Sequence, residues 1–168
     1  MINFQHLHFV VDVDIKGFFD NVDHGKLLKQ MWTMGIQDKN LLCIISAMLK
    51  AEIKGIGIPS KGVPQGGICS PLFSNVVLNE LDWWISDQWE SFETLHPYSQ
   101  SSSKLYAIRR ASELKECYII RYADDLKIMC RTRDEAERMF IAVKLWLKER
   151  LNLEISSEKS KITNLRKK

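Results

Sequence analysis

The chain has 168 residues, 45% hydrophobic and 27% charged. That is one domain able to hide roughly 70% of its unfolded surface, and it excludes disorder throughout. Twenty-four Lys and Arg against twenty-one Asp and Glu leave +3, too small a bias to imply a partner, although Lys159 to Lys168 carries five basic residues and no acid and suits an anionic polymer.

Phe9 to Asp14 alternates, with Phe9, Val11 and Val13 on one face and Val10, Asp12 and Asp14 on the other, predicting a half-buried strand whose second face carries acids. Asp23 is placed to cap a helix through Leu27, Leu28 and Met31 that stops near Gly35, and Asp38 to cap a second over Leu41, Leu42, Ile45, Met48 and Leu49. Gly55, Gly57, Pro59 and Gly62 predict short extended pieces, as in a hairpin. Ser70-Pro71 reads as a helix start with Ser as N-cap, followed by Leu72, Phe73, Val76, Val77, Leu81, Trp84 and Ile85 at helical spacing.

Tyr98 to Ser103 is polar and Ser-rich and reads as a loop or insertion. Tyr118 to Tyr122 and Leu126 to Cys130 flank Ala123-Asp124-Asp125 as the arms of a hairpin. Thr132 and Glu135 form a capping box for a helix that buries Ala136, Met139, Phe140, Val143 and Leu147, and Leu153 to Ile155 reads as a last short strand. The order predicts an α+β fold with helices on one face of an antiparallel sheet.

The apolar run Leu41 to Leu49 is shorter than the about 20 residues that span a bilayer. The opening MINFQHLHFV lacks the flank and cleavage site of a secretion signal. A cytoplasmic chain with no membrane partner is therefore expected. Cys43, Cys69, Cys117 and Cys130 have no CxxC spacing and read as free thiols of a reducing compartment. His6, His8, His24 and His96 show no zinc spacing, and Trp83, Trp84, Trp89 and Trp146 read as core or interface aromatics.

Asp14 ends one apolar strand, and Asp124-Asp125 lies at the tip of a hairpin. Carboxylates gathered together repel and call for a compensating cation. Mg²⁺ suits that task, because it takes hard oxygen ligands and bridges substrate phosphates. Two such ions about 4 Å apart can serve both oxygens of an in-line phosphoryl displacement. The tetrapeptide Tyr122-Ala123-Asp124-Asp125 should arise by chance in roughly one chain in a thousand of this length.

Three further stretches accompany it: DIKGFFDNVDH from Asp14, GVPQGGICSPLFSNVVLNELD from Gly62, and LNLEISSEKSKIT from Leu151. In this order and at these separations they resemble the palm of reverse transcriptases, most specifically those encoded by group II introns, the intron maturases. The resemblance runs from about Phe9 to Thr163 and is weakest between Ser86 and Glu116. It implies a polymerase palm, an RRM/ferredoxin-like antiparallel sheet with helices on one face, in one domain over residues 1–168 with an insertion or loop near 86–116.

The resemblance also implies roles. Asp14 and Asp124 would be the principal metal ligands, Asp125 a weaker or second-site one, and the Ile15 carbonyl a backbone ligand, for two Mg²⁺ ions with Mn²⁺ as a substitute. The amides of Gly17 and Phe18 would cradle the incoming triphosphate. Phe19 would gate against a ribose 2′-OH, although Phe18 or Phe19 is expected to be core. Gln65 and Gly66, after Pro64, would touch the templating pair and the nucleotide. Lys159 or Lys161 would face the leaving pyrophosphate. Asp12, Asp20 and Asp23 read instead as strand edge, turn and helix cap.

Only eight residues precede the first strand, so fingers and thumb are expected to be largely absent and the chain alone weak or inactive. Faces uncovered by that loss are expected to pair with a second copy. The implied partners are an RNA template and primer, a dNTP, intron RNA and, in a full-length protein, a DNA target. The alternative reading is an RNA-binding splicing cofactor that does not polymerise.

Overall fold

The computed structural model describes residues 6–55, 57–64 and 66–166. Strand β1 (Phe9–Asp14) leads through a one-turn helix α1 (Phe18–Asn21) into α2 (His24–Thr33) and α3 (Lys39–Leu49). Asp23 and Asp38 cap α2 and α3, accepting backbone N–H bonds from Lys26 and from Asn40 and Leu41. Between Ile53 and Gly57 a pair of reciprocal backbone bonds of 2.9 Å makes a tight bridge.

Helix α4 (Ser70–Ser86) follows, with Ser70 as its first helical residue rather than its cap. The Ser70 hydroxyl donates backwards to the Pro64 carbonyl and so does not cap. Helix α5 (Ser101–Ala111) takes in the second half of the loop expected at Tyr98 to Ser103, while Tyr98 to Gln100 stay irregular. Ser is favourable in a first turn, Ile108 is buried, and Arg109 and Arg110 sit in the last turn, where cations suit the helix dipole.

The hairpin of β2 (Cys117–Tyr122) and β3 (Asp125–Cys130) precedes α6 (Arg133–Trp146), opened by the expected Thr132–Glu135 capping box. Helix α6 widens into a π-helical turn over Leu147–Leu151 that ends at Asn152, φ 55°. The final strand, β4, is Lys161–Asn164. Leu153 to Ile155 contributes only an isolated bridge, Ile15 to Ile155, because the edge of β1 pairs with β4 instead.

The sheet order is β2-β3-β1-β4, with every pairing antiparallel. A βαββαβ chain with its first and third strands central is the ferredoxin-like arrangement that the motifs implied. Val11, Val13, Leu126, Ile128, Cys117 and Cys130 point to the helix side, where Leu78, Leu81, Ile85, Met139 and Val143 meet them in one core. Trp89 and Trp146 are buried, and Trp84 packs 5.9 Å from Trp146; Trp83, in contrast, is 60% exposed. No described helix is long and apolar enough to cross a membrane.

Cys117 and Cys130 are cross-strand partners. Burial pushes the Cys130 thiol from the usual 9.0 up to about 12, and Glu135 adds to the effect. Burial also raises Cys117, with Cys130 beside it. The neutral thiols therefore stabilise the fold fully below about pH 9, and that contribution is lost as pH rises through about 12. At pH 8 a maleimide should label exposed Cys43 within minutes and leave Cys130 unmodified until denaturant is added. Peptide mass mapping reads this directly, and equal labelling rates would contradict the burial.

Candidate active site

Residues that alternate along β1 and β3 put two cross-strand rows on the sheet face away from the helices. Asp14 stands opposite Asp125, and Asp12 opposite Lys127. The hairpin turns through Ala123 and Asp124, so Asp124 occupies its tip beside Asp125. Ala123 has φ 53°, a left-handed conformation that costs an L-residue roughly 1–2 kcal/mol.

Arg121 supplies what holds that turn. It alternates with Cys117 and Ile119 toward the helix side, where α4 meets it. Its Nη1 donates to the Ala123 carbonyl at 2.8 Å and to Asn75 Oδ1 at 2.9 Å. Its Nε donates to Asp82 Oδ1 at 2.8 Å, and Nη2 closes a two-pronged pair on Asp82 Oδ2. Asn75 and Asp82 lie two turns apart on α4, so one helix face braces the hairpin tip.

The segment after α6 seats the other carboxylate. Asp14 N–H donates to Ser160 Oγ at 3.1 Å, and the Asp14 carbonyl accepts from Ser156 N–H at 2.8 Å. This brings Lys159 Nζ to 3.8 Å from Asp14 Oδ2. Lys161 instead lies on β4 opposite Asp12. Of the two lysines left open by the sequence, Lys159 is the one beside Asp14. Lys127 Nζ donates to Asp12 Oδ1 at 2.8 Å and to Asp125 Oδ1 at 3.2 Å. The bond to Asp12 is the main reason its ammonium is held above the usual lysine range.

Beside β1, Gly17 at φ 54° starts α1, and its carbonyl accepts from Asn21 Nδ2 at 2.9 Å. Phe18 is buried as core, while Phe19 is half-buried and edge-on to it, 5.4 Å between centroids. The Ile15 side chain is buried. The chain at 62–64 is stitched to this segment: Gly62 N–H donates to the Val22 carbonyl and Val63 N–H to the Phe19 carbonyl, both at 2.7 Å. A cavity of about 480 Å³ opens between Phe19, Gly66, Gly67, Ile68, Ser70 and Pro71. Phe19 and Gly66 thus line the same cavity; Gln65 lies outside the described residues.

Gly62 has φ +94°, and a Cβ there would sit 3.0 Å from the Asp20 carbonyl oxygen. Backbone cannot retreat as a side-chain tip can. Gly62→Ala should therefore lower stability by about 1–3 kcal/mol in a urea melt, and an unchanged midpoint would contradict this close approach.

The family described as reverse transcriptase (RNA-dependent DNA polymerase) matches residues 3–168. The chain belongs to the reverse transcriptase family. Group II intron-encoded protein LtrA of Lactococcus lactis subsp. cremoris is 27% identical over 96% of the chain and 33% of its own length. A COX1/OXI3 intron 2 protein of Saccharomyces cerevisiae is 26% identical over 94% of the chain and 22% of its own length. These relatives bear out the resemblance to intron-encoded enzymes, and the chain spans about a third or less of either. Among solved structures, apo telomerase from Candida tropicalis superposes with a TM-score of 0.60 at 12% identity, over 94% of the chain and 29% of that structure, which confirms the fold.

No three described His, Cys, Asp or Glu side chains gather into a metal cage. Mg²⁺ does not need one, since it binds through one or two carboxylates and leaves the rest to water and substrate phosphates. Asp14 and Asp125 offer hard oxygens on one face with side chains 42% and 61% exposed. That donor set fits.

Sequence reasoning missed Arg121, Asn75, Asp82, Ser160 and Lys127. Arg121 did carry a signal: a guanidinium in phase with Cys117 and Ile119 needs a partner on the buried side.

Proposed function

We propose that this chain is the catalytic palm of a group II intron-type RNA-directed DNA polymerase, in which a primer 3′-OH attacks a dNTP α-phosphate and releases pyrophosphate. The cross-strand pairing of Asp14 with Asp125, with Asp124 at the adjoining tip, carries the reading. Asp14 and Asp124 would hold Mg²⁺, with Asp125 and the Ile15 carbonyl as further ligands; the bound ions, or Mn²⁺ in their place, would activate the attacking hydroxyl and stabilise the leaving oxygen.

The chain's own groups do the positioning. The Gly17 and Phe18 amides hold the triphosphate, and Phe19 closes the ribose side against a 2′-hydroxyl. Gln65 and Gly66 contact the nascent pair, and Lys159 meets charge developing on pyrophosphate. RNA template and primer, dNTP, intron RNA and a DNA target are the proposed partners of the longer protein.

The test is primer extension on an RNA template during a Mg²⁺ or Mn²⁺ titration, in this chain and in a fusion carrying the flanking regions of a longer relative. Metal-dependent extension in the fusion supports the polymerase. The intron-encoded relatives favour a second reading, a splicing cofactor. Intron RNA bound with steep salt dependence, insensitive to Asp124→Asn and with no extension in the fusion, would replace the first reading by that one.

A further inference from the structure

The site contains a lysine with two seats. Lys127 stands two positions after Asp125 on β3, so both side chains emerge on the open face, and across the strand it faces Asp12. Its ammonium lies 3.2 Å from Asp125 and 2.8 Å from Asp12. Its side chain is 44% exposed, on a flexible four-carbon stem, so either contact can lengthen without disturbing the core. Asp125 and Asp14 are like charges directly opposite, an arrangement that is unfavourable without a counter-ion.

We propose that Lys127 sets the metal affinity of this site: it neutralises Asp125 while no metal is bound, and Asp12 retains it when a divalent ion takes Asp125. The inference rests on the proposed role of Asp14 and Asp125 as ligands. A doubly charged ion on Asp125 would repel the ammonium that lies 3.2 Å from that carboxylate. Without a second seat that ammonium must go to solvent or compete for the carboxylate. Asp12 provides the seat, and this makes it a positioning residue where a strand-edge role was expected.

The experiment measures Mn²⁺ binding to the full chain without substrate, by the free-ion electron paramagnetic resonance signal, with circular dichroism to confirm folding. Asp14→Asn and Asp125→Asn should each weaken Mn²⁺ binding; no effect from either would remove the ligand assignment itself. With that assignment standing, Lys127→Met should tighten binding about three- to tenfold, the scale of a lost competing charge, and Lys127→Arg should stay within about twofold of wild type. Asp12→Asn should weaken binding about fivefold when Lys127 is present and less than about twofold in the Lys127→Met background.

An equal loss in both backgrounds would mean that Asp12 acts only through its own charge and would overturn the hand-over. So would unchanged or weaker binding in Lys127→Met.

Discussion

Asp14→Asn should cost primer extension on the order of 10²–10³-fold or more, the scale on which removing one preorganised electrostatic partner acts, while leaving the fold as stable as before or slightly more so. The two halves of that result have different causes. Activity falls because an amide oxygen is a poor substitute for a carboxylate toward a hard cation. Stability does not fall, because Asp14 stands directly opposite Asp125, and like charges so placed oppose folding by about 0.2–1 kcal/mol.

The stabilising contacts of Asp14 are through its backbone, to Ser160 and Ser156, and asparagine keeps them. The facing Lys159 at 3.8 Å is itself 72% exposed and contributes little. Extension rates and thermal melts of the same preparations read both halves. A variant that loses activity and several degrees of Tm together would show that Asp14 is structural rather than catalytic.

Arg121→Ala reverses the pattern: it should lower stability first and activity as a consequence. The guanidinium is 10% exposed and its partner Asp82 31%. Truncation strands Asp82, Asn75 and the Ala123 carbonyl at once. Breaking a buried pair costs about 3–5 kcal/mol, and the partial exposure of Asp82 puts this one near the low end, about 3 kcal/mol. In a domain of this size that lowers Tm by roughly 6–12 °C.

Arg121→Lys should recover only part of the loss, since an ammonium cannot reproduce the two-pronged geometry. The double variant with Asp82→Ala should be no worse than Arg121→Ala alone by more than a few tenths of a kcal/mol. Denaturant melts decide this, and a loss below about 1 kcal/mol for Arg121→Ala would mean that the hairpin tip holds its left-handed Ala123 without α4.

What the sequence made legible was local. Asp23, Asp38 and the Thr132–Glu135 box act on amides two or three residues away, so their spacing alone announces them. The hairpin was visible because its apolar arms and its turn are contiguous. The misplaced pieces depend on distant partners. Leu153 to Ile155 and Lys161 to Asn164 are both short, and only the edge of β1, far back in the chain, selects the second as strand.

The start of helix α5 reads as loop because serines dominate its first turn, whereas Ile108 at its far end ties it to the core. In the candidate site the carboxylates were found from their motifs. Their keepers were not, because Lys127 meets Asp12 across 115 positions and Arg121 meets Asp82 across 39.

That spacing bears on how the protein is made. The central strand pair joins β1 to a strand that leaves the ribosome 115 residues later, a delay of about 10 s at ordinary elongation rates. Over that interval β1 lacks both of its described partners, since β4 is later still. Until then the nascent chain carries a strand with one apolar face and two unpaired edges, a template for intermolecular pairing. Slowing translation downstream of Ser86 should therefore lower the soluble yield, and a chaperone that shields Phe9–Asp14 should restore it.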